Sequence, residues 1–348
     1  MMPQPSLSGA APIRVLVVDD SPTMRAMVSH SLSQDPEIVV VGTADGPHSA
    51  REMIKSLNPD VVTLDVEMPG MDGLTFLEKI MRLRPMPVVM LSTLTGRGAE
   101  ATIRALELGA FDCYEKPRQA FGGGLDADFT RLVKAAAKGR VRPRMAPAPA
   151  RAPADYTPRA DAMIAIGSST GGVETLIELL GGFPANCPPT VIVQHMPESY
   201  VPTFAARLDR LSAPQVSVAR SGSVLEVGRV YVAPGGSHHL EVTGDAVRRC
   251  RLVADEKMSG HRPSVDRLFL SVARWAGPSA VGAILTGMGA DGAQGLKRMK
   301  EAGAMTIGQD EDSCVVYGMP AVAKQIGAVG VQLPLGRIAA RLLQECRA

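Results

Sequence analysis

Apolar runs of four to six residues alternate along the chain with longer stretches of amphipathic spacing. In the first third the runs fall at 13–18, 38–42, 60–64, 87–91 and 111–114, with helical spacing near 22–33, 47–56, 73–82 and 97–108. Continuous apolar strands separated by helices are the pattern of a parallel sheet covered on both faces. Asp20 or Ser21, followed by Pro22, marks the first helix start, because proline's missing N–H costs nothing in a first turn. A further helix is expected at 126–138, after Gly122-Gly123-Gly124. The alternation then stops. Between Gly139 and Arg159, Pro143, Pro147, Pro149, Pro153 and Pro158 stand among alanines and arginines with almost no large apolar residue, which predicts an extended, semi-stiff linker.

A second core begins at Ala162. Strands are expected at 162–166, 190–194, 229–232, 281–285 and 304–307, and helices near 172–180, 200–211, 264–275, 291–301 and 319–326. Shorter strands at 216–220 and 238–242 predict some antiparallel pairing. The expected fold class is therefore α/β throughout. A doubly wound five-stranded parallel sheet occupies 12–130, an Ala/Pro/Arg-rich linker 131–159, and a C-terminal α/β domain with a mainly parallel sheet and short antiparallel strands 160–346.

Composition narrows the partners. A chain of 348 residues with 45% apolar and 21% charged residues suits two globular domains, and a net charge of +2 gives no reason to expect nucleic acid or a membrane surface. Met1 to Pro12 lacks the pattern of a signal peptide, and no apolar stretch approaches the roughly 18 residues of a membrane span. The five cysteines are scattered and never in Cys-x-x-Cys spacing, which argues against a disulfide framework or structural zinc. A monomeric cytoplasmic protein with reduced thiols is expected, without membrane insertion.

The candidate chemistry lies where the strands end. In the first domain Ile13–Val18 ends on Asp19 and Asp20, and 60–64 ends on Asp65 before the turn-forming Met68-Pro69-Gly70-Met71-Asp72-Gly73. Three carboxylates at neighbouring strand ends repel one another and suit a hard, oxygen-preferring divalent ion such as Mg2+. Ser92 ends the fourth strand, and Tyr114-Glu115 leads into Lys116-Pro117, offering a hydroxyl and an ammonium to phosphoryl oxygens. This ordered set resembles the receiver domain of two-component response regulators, a flavodoxin-like fold, over roughly 12–120. The resemblance implies that Asp65 accepts a phosphoryl group from a histidine kinase. It also implies that Asp19, Asp20 and Asp65 hold Mg2+, that Ser92 is the switch hydroxyl and that Lys116 senses the phosphate.

In the second domain the strand Ala162–Ile166 runs into Gly167-Ser168-Ser169-Thr170-Gly171-Gly172. The Gly-x-Ser-x-Gly spacing is that of a nucleophile elbow, although such a turn also serves as a phosphate cradle. Thr190–Gln194 ends on His195, and 281–285 enters a glycine-rich loop carrying Asp291. Ser169, His195 and Asp291 can thus converge on one sheet edge as nucleophile, base and orienting carboxylate. Asp291 can instead cap its helix, and His261 is a second candidate base. His30 and His48 are expected as surface residues of the first domain, and His238 and His239, near Pro234-Gly235-Gly236-Ser237, lack a strand-end setting. The order Ser, His, Asp differs from that of α/β-hydrolases.

Ile166–Gly172, Gln194-His195-Met196-Pro197, His261-Arg262-Pro263-Ser264-Val265-Asp266, Leu285–Gly292 and Cys314–Pro320 resemble, in order, motifs of chemotaxis protein-glutamate methylesterases over about 160–345. Ser168 stands where that family usually has alanine. The resemblance implies hydrolysis of glutamate methyl esters on methyl-accepting chemoreceptors, releasing methanol, and deamidation of particular receptor glutamines. It implies an oxyanion hole from the Met288 N–H and donors around Thr170, no cofactor for the ester chemistry, a chemotaxis histidine kinase as phosphoryl donor, and a receiver that covers the catalytic mouth until Asp65 is phosphorylated. Two rival outputs remain: a nucleotide-binding module, which leaves His195 and Asp291 without a role, and a DNA-binding domain, for which 160–345 lacks a compact helical unit with a basic recognition helix.

Overall fold

A computed structural model describes residues 11–68, 72–93, 96–116, 125–139 and 156–348. The expected turn residues Pro69–Met71, Pro117, the glycines 122–124 and most of the proline-rich stretch lie outside these ranges. Two compact units form, one around a five-stranded sheet and one around a seven-stranded sheet.

In chain order the N-terminal elements are β1 (Ile13–Val18), α1 (Pro22–Ser33), β2 (Ile38–Ala44), α2 (Pro47–Leu57), β3 (Val61–Asp65), α3 (Gly73–Leu83), β4 (Val88–Ser92), α4 (Gly96–Glu107), β5 (Asp112–Glu115) and α5 (Ala127–Lys138), and all but α4 belong to the first unit. Its five strands are parallel in the order β2-β1-β3-β4-β5. The apolar runs explain the centre of the sheet: Val15–Val18, Val61–Leu64 and Val88–Leu91 are buried because helices cover both faces. Ser21 caps α1 by accepting from the Met24 N–H, with Pro22 in the first turn as expected. Strand order reverses between β1 and β3, so a crevice opens beyond their C-terminal ends, where Asp19 and Asp65 lie. Helix α5 crosses the boundary expected at residue 130.

The second unit runs β6 (Met163–Ser168), α6 (Gly172–Gly181), β7 (Thr190–Gln194), α7 (Val201–Leu211), β8 (Gln215–Val218), β9 (Arg229–Val232), β10 (His239–Thr243), β11 (Arg249–Val253), α8 (Val265–Trp275), β12 (Ala280–Ile284), α9 (Ala293–Glu301), β13 (Met305–Gln309), α10 (Met319–Gln325), β14 (Val331–Leu333) and α11 (Leu335–Glu345). Seven strands form a parallel sheet in the order β14-β13-β12-β6-β7-β9-β8. Burial of Met163, Val191, Phe269, Leu268 and Leu296 builds the core on one face. Each such side chain contributes about 1.5–3 kcal/mol relative to exposure.

Three features differ from the sequence expectations. Strand β8 pairs parallel to β9, since α7 carries the chain back across the sheet, and among the named strands of the described residues only β10 and β11 pair antiparallel. β11, β14 and α11 have no counterpart among the expected elements. Finally, the tail of the expected linker is already folded: Tyr156 is buried, and the Arg159 N–H donates to the Cys346 carbonyl at 2.7 Å.

Candidate functional site

The order β12-β6-β7 brings three strand ends together at the point where the second sheet reverses its winding. Ser169 directly follows β6, His195 directly follows β7, and Asp291 lies in the loop between β12 and α9. Gly292 occupies the cap position of α9, so Asp291 is not its cap. The two adjacent serines are unlike. Ser168 is fully buried and donates to Gln194 Oε1 at 2.7 Å, whereas Ser169 is half-buried.

Glycines make this crossing point possible in two different ways. Gly171 needs its φ of +75° to turn the chain into α6, and a Cβ there would lie 2.5 Å from Val315. Gly167, the first glycine of the elbow, is an ordinary strand residue. It is small for clearance: a Cβ there would lie 2.1 Å from Val265 Cγ1, at the first turn of α8.

That close approach delivers α8 to Asp291. Ser264, the α8 cap, donates its hydroxyl to Asp291 Oδ1 at 2.7 Å, and the N–H groups of Val265 and Asp266 donate at 2.7 and 3.0 Å. His195 Nε2 supplies a fourth bond at 2.8 Å. Burial alone pushes the Asp291 carboxyl up, but His195 and the donors at the α8 N-terminus outweigh it and hold the carboxyl below its usual value. Asp266 shows the reverse, raised mainly by burial with Asp291 adding to it. The carboxylate takes Nε2, so Nδ1 is the nitrogen left over; it is buried and has no hydrogen-bond partner. In the familiar serine-hydrolase triad the carboxylate takes Nδ1 instead.

His261, the second candidate base, stacks on His195 with ring centroids 3.9 Å apart and planes 9° from parallel. His239 was not singled out by the sequence, yet it is fully buried. Its Nδ1 accepts from the Ser264 N–H at 3.1 Å and its Nε2 meets the Glu256 carbonyl at 2.9 Å, which secures the start of α8. Gln194 is a second unforeseen contributor. Its Nε2 donates to the carbonyls of Ser169 at 2.9 Å and His195 at 3.0 Å, tying the two strand exits to each other.

On the opposite side, Thr286 donates its hydroxyl to the Thr170 carbonyl at 3.0 Å and accepts from the N–H groups of Val315 and Val316. Its own N–H donates to Gln309 Oε1 at 2.8 Å. Gly287 leaves no room for a side chain, since a Cβ would meet Ser169 Cβ at 2.7 Å. Thr170 and Met288, expected as oxyanion donors, therefore lie on loops braced by Thr286 and Gly287.

In the first unit, Asp19, Asp20 and Asp65 each offer a carboxylate oxygen, all within 4.8 Å of one another. Asp19 and Asp65 are buried and Asp20 is exposed. Lys116 Nζ lies 2.9 Å from Asp19 Oδ2 and 2.8 Å from Asp65 Oδ2. Burial pushes Asp65 up to about 6, Lys116 pulls against this and Asp19 adds to it. Burial also opposes the charge on Lys116, but Asp65 and Asp19 outweigh it and raise its pKa. This set of hard oxygen donors fits a divalent ion of the Mg2+ type. Ser92 is buried at the end of β4, where its hydroxyl lies 3.4 Å from the Thr93 carbonyl.

None of the five cysteines is in a disulfide, and burial pushes Cys187, Cys250 and Cys346 up to about 12. Among the described residues no helix is long and apolar enough to cross a membrane.

Comparison with known proteins identifies the family. Residues 164–342 match the CheB methylesterase family model, and residues 15–120 match that of the response regulator receiver domain. The chain belongs to the CheB methylesterase family. It is 60% identical to protein-glutamate methylesterase/protein-glutamine glutaminase 1 of Caulobacter vibrioides, over 96% of this chain and 98% of the relative. It is 57% identical to the Rhizobium etli protein-glutamate methylesterase/protein-glutamine glutaminase, over 96% of this chain and 97% of that one. Among solved structures, the Thermotoga maritima CheB methylesterase catalytic domain aligns with a TM-score of 0.51 and 35% identity, covering 53% of this chain and 97% of that domain. The receiver and methylesterase resemblances drawn from the motifs, and the α/β class, thus agree with the CheB relatives.

Proposed function

We propose that this CheB-family chain hydrolyses glutamate methyl esters and deamidates glutamines on chemoreceptors through a Ser169–His195–Asp291 acyl-enzyme, and that phosphorylation of Asp65 activates it. It is a protein-glutamate methylesterase and protein-glutamine glutaminase, a carboxylic ester hydrolase with a receiver domain. The observation that carries the mechanism is the His195–Asp291 pair at 2.8 Å, which leaves a buried, unpartnered Nδ1 beside the strand end that presents Ser169.

Nδ1 of His195 takes the Ser169 proton as Oγ attacks the substrate's side-chain carbonyl. The tetrahedral oxyanion is met by the N–H groups of Thr170 and Met288. Collapse breaks the C–O or C–N bond, and the proton on Nδ1 passes to the leaving methanol or ammonia. Water then loses a proton to the same nitrogen, adds to the acyl carbonyl, and releases glutamate with Ser169 restored. Asp291 holds the tautomer and stabilises the transient imidazolium. A nucleotide cradle would leave this pairing without a use.

In the receiver, Asp65 accepts the phosphoryl group from a chemotaxis histidine kinase. Asp19, Asp20 and Asp65 would hold Mg2+, which supplies charge neutralisation when bound. Lys116, paired with Asp65 in the unphosphorylated protein, and Ser92 then bind phosphoryl oxygens. We assign the receiver to residues 12–139, so that α5 stays whole, the linker to 140–155 and the catalytic domain to 156–346, acting in the cytoplasm.

The test is methanol release from methylated receptor membranes with and without a small phosphodonor. Release should rise with the donor in wild type, stay at the basal rate in Asp65→Ala, and vanish in Ser169→Ala while surviving in Ser168→Ala. Equal rates for wild type and Asp65→Ala in the presence of the donor would remove the regulation. Activity in Ser169→Ala would remove the serine mechanism.

A further inference from the structure

His195 is tethered by one side-chain hydrogen bond. Nε2 meets Asp291, and Nδ1 has no partner. A single bond leaves an imidazole free to swing about the axis through that bond, whereas proton transfer at Nδ1 needs one particular ring plane. The missing constraint is a face. His261 lies over His195 with the ring planes 9° from parallel and the centroids 3.9 Å apart.

His261 is itself held in place. Its N–H donates to the Met258 carbonyl at 3.0 Å, and its carbonyl accepts from the Met258 N–H at 3.1 Å. The neighbouring Arg262 donates to the carbonyls of Gly236 and Asp255, each at 2.8 Å. Ser264, two residues further, opens the turn whose donors hold Asp291. One short segment, His261–Asp266, therefore fixes both the plane of the base and the carboxylate that orients it.

We propose that His261 is a positioning residue for the hydrolytic reaction, its ring holding the His195 plane so that Nδ1 faces the Ser169 hydroxyl. This rests on the reading of Ser169 as nucleophile and His195 as base. The contact uses the face of His261 and not a nitrogen lone pair, so any flat ring of similar size preserves it. A role for His261 as the base itself would instead require one of its nitrogens.

The experiment compares His261→Ala, His261→Leu and His261→Phe in the full-length protein, with Ser169→Ala alongside, by steady-state methanol release and thermal unfolding. Loss of the ring in the Ala and Leu variants should lower kcat by about tenfold, with KM changed by less than about twofold. The Phe variant should return kcat to within about threefold of wild type. Leucine fills the space without a ring, so it answers for Ala should that variant not fold. Wild-type kcat in the Leu variant, or a Phe variant as slow as Leu, would overturn the proposal. Turnover in Ser169→Ala would sink the serine mechanism on its own, whatever the His261 variants show.

Discussion

Asp65 and Asp291 are both buried carboxylates at the C-terminal side of parallel sheets, one ending its strand and the other in the loop after its strand, and the protein treats them in opposite ways. Asp65 shares its crevice with Asp19 and Asp20 and leans on one lysine, and burial pushes it up to about 6. Asp291 receives four hydrogen bonds, three of them from the start of α8, and is held below the ordinary carboxylate range. The first site is left under electrostatic tension, which suits a group that must be modified and released. The second is already solvated by fixed dipoles, which suits a group that must stay charged through every turnover. Whether a carboxylate is a switch or a fixture is written in its neighbours and not in its depth.

The comparison can be broken most directly at Asp291. Asp291→Asn should lower kcat on the order of 10³-fold through loss of the correct tautomer, read by methanol release. It should also lower stability at neutral pH. The folded carboxyl is depressed, so its contribution is present above the unfolded value of about 4 and is lost as pH falls, and the two proteins should converge in acid. Ser264→Ala removes one donor and the helix cap together. It should cost about 1–2 kcal/mol in denaturant unfolding and about tenfold in kcat. If Ser264→Ala left both unchanged, the α8 N-terminus would not be what holds Asp291.

Asp65→Asn should move stability the other way. A carboxyl raised to about 6 makes the folded unit bind a proton that the unfolded chain has given up, so stability falls as pH rises from about 4 to 6. The amide should therefore raise the receiver's melting temperature by a few degrees at pH 7, and the gain should vanish below pH 4. A lower melting temperature at pH 7 would show that the lysine pairing outweighs the tension. The smallest effect is expected at Ser168→Ala, where Gln194 loses one partner but keeps both carbonyls. Stability should drop by about 1 kcal/mol with activity within about threefold of wild type.

Much of this architecture is visible in the chain because buried parallel strands are apolar throughout and chemistry collects at their ends. The runs at 13–18, 61–65, 163–168 and 190–194 announce themselves, and each ends on or is followed by a residue of the candidate sites. Helix α11 was also legible in principle: Leu335, Ile338, Ala339, Leu342 and Leu343 are its buried face at three- and four-residue spacing. The three-residue β14 offers no period to detect. The direction of β8 was hidden because direction is set by the crossover before it and not by the strand's own residues.

At the site, the residues least legible were those that act on backbone. Gln194 binds carbonyls and His239 an N–H, so neither carries a spacing signature. His195 and His261 looked like rivals in one dimension because nothing in sequence separates competing for a role from supporting it.

One arrangement bears on how such a chain tolerates change over generations. The residues of the candidate triad sit 26 and 96 positions apart, yet they hang from three adjacent strands whose spacing is about 4.8 Å by the nature of the ladder. Insertions in the surface loops at the far edge of the sheet leave that interval untouched. A single residue gained or lost inside β6, β7 or β12 turns the strand end over and points its cargo away from the other two. Within β6, β7 and β12 a change of length therefore costs the site more than the exchange of one apolar residue for another of similar size.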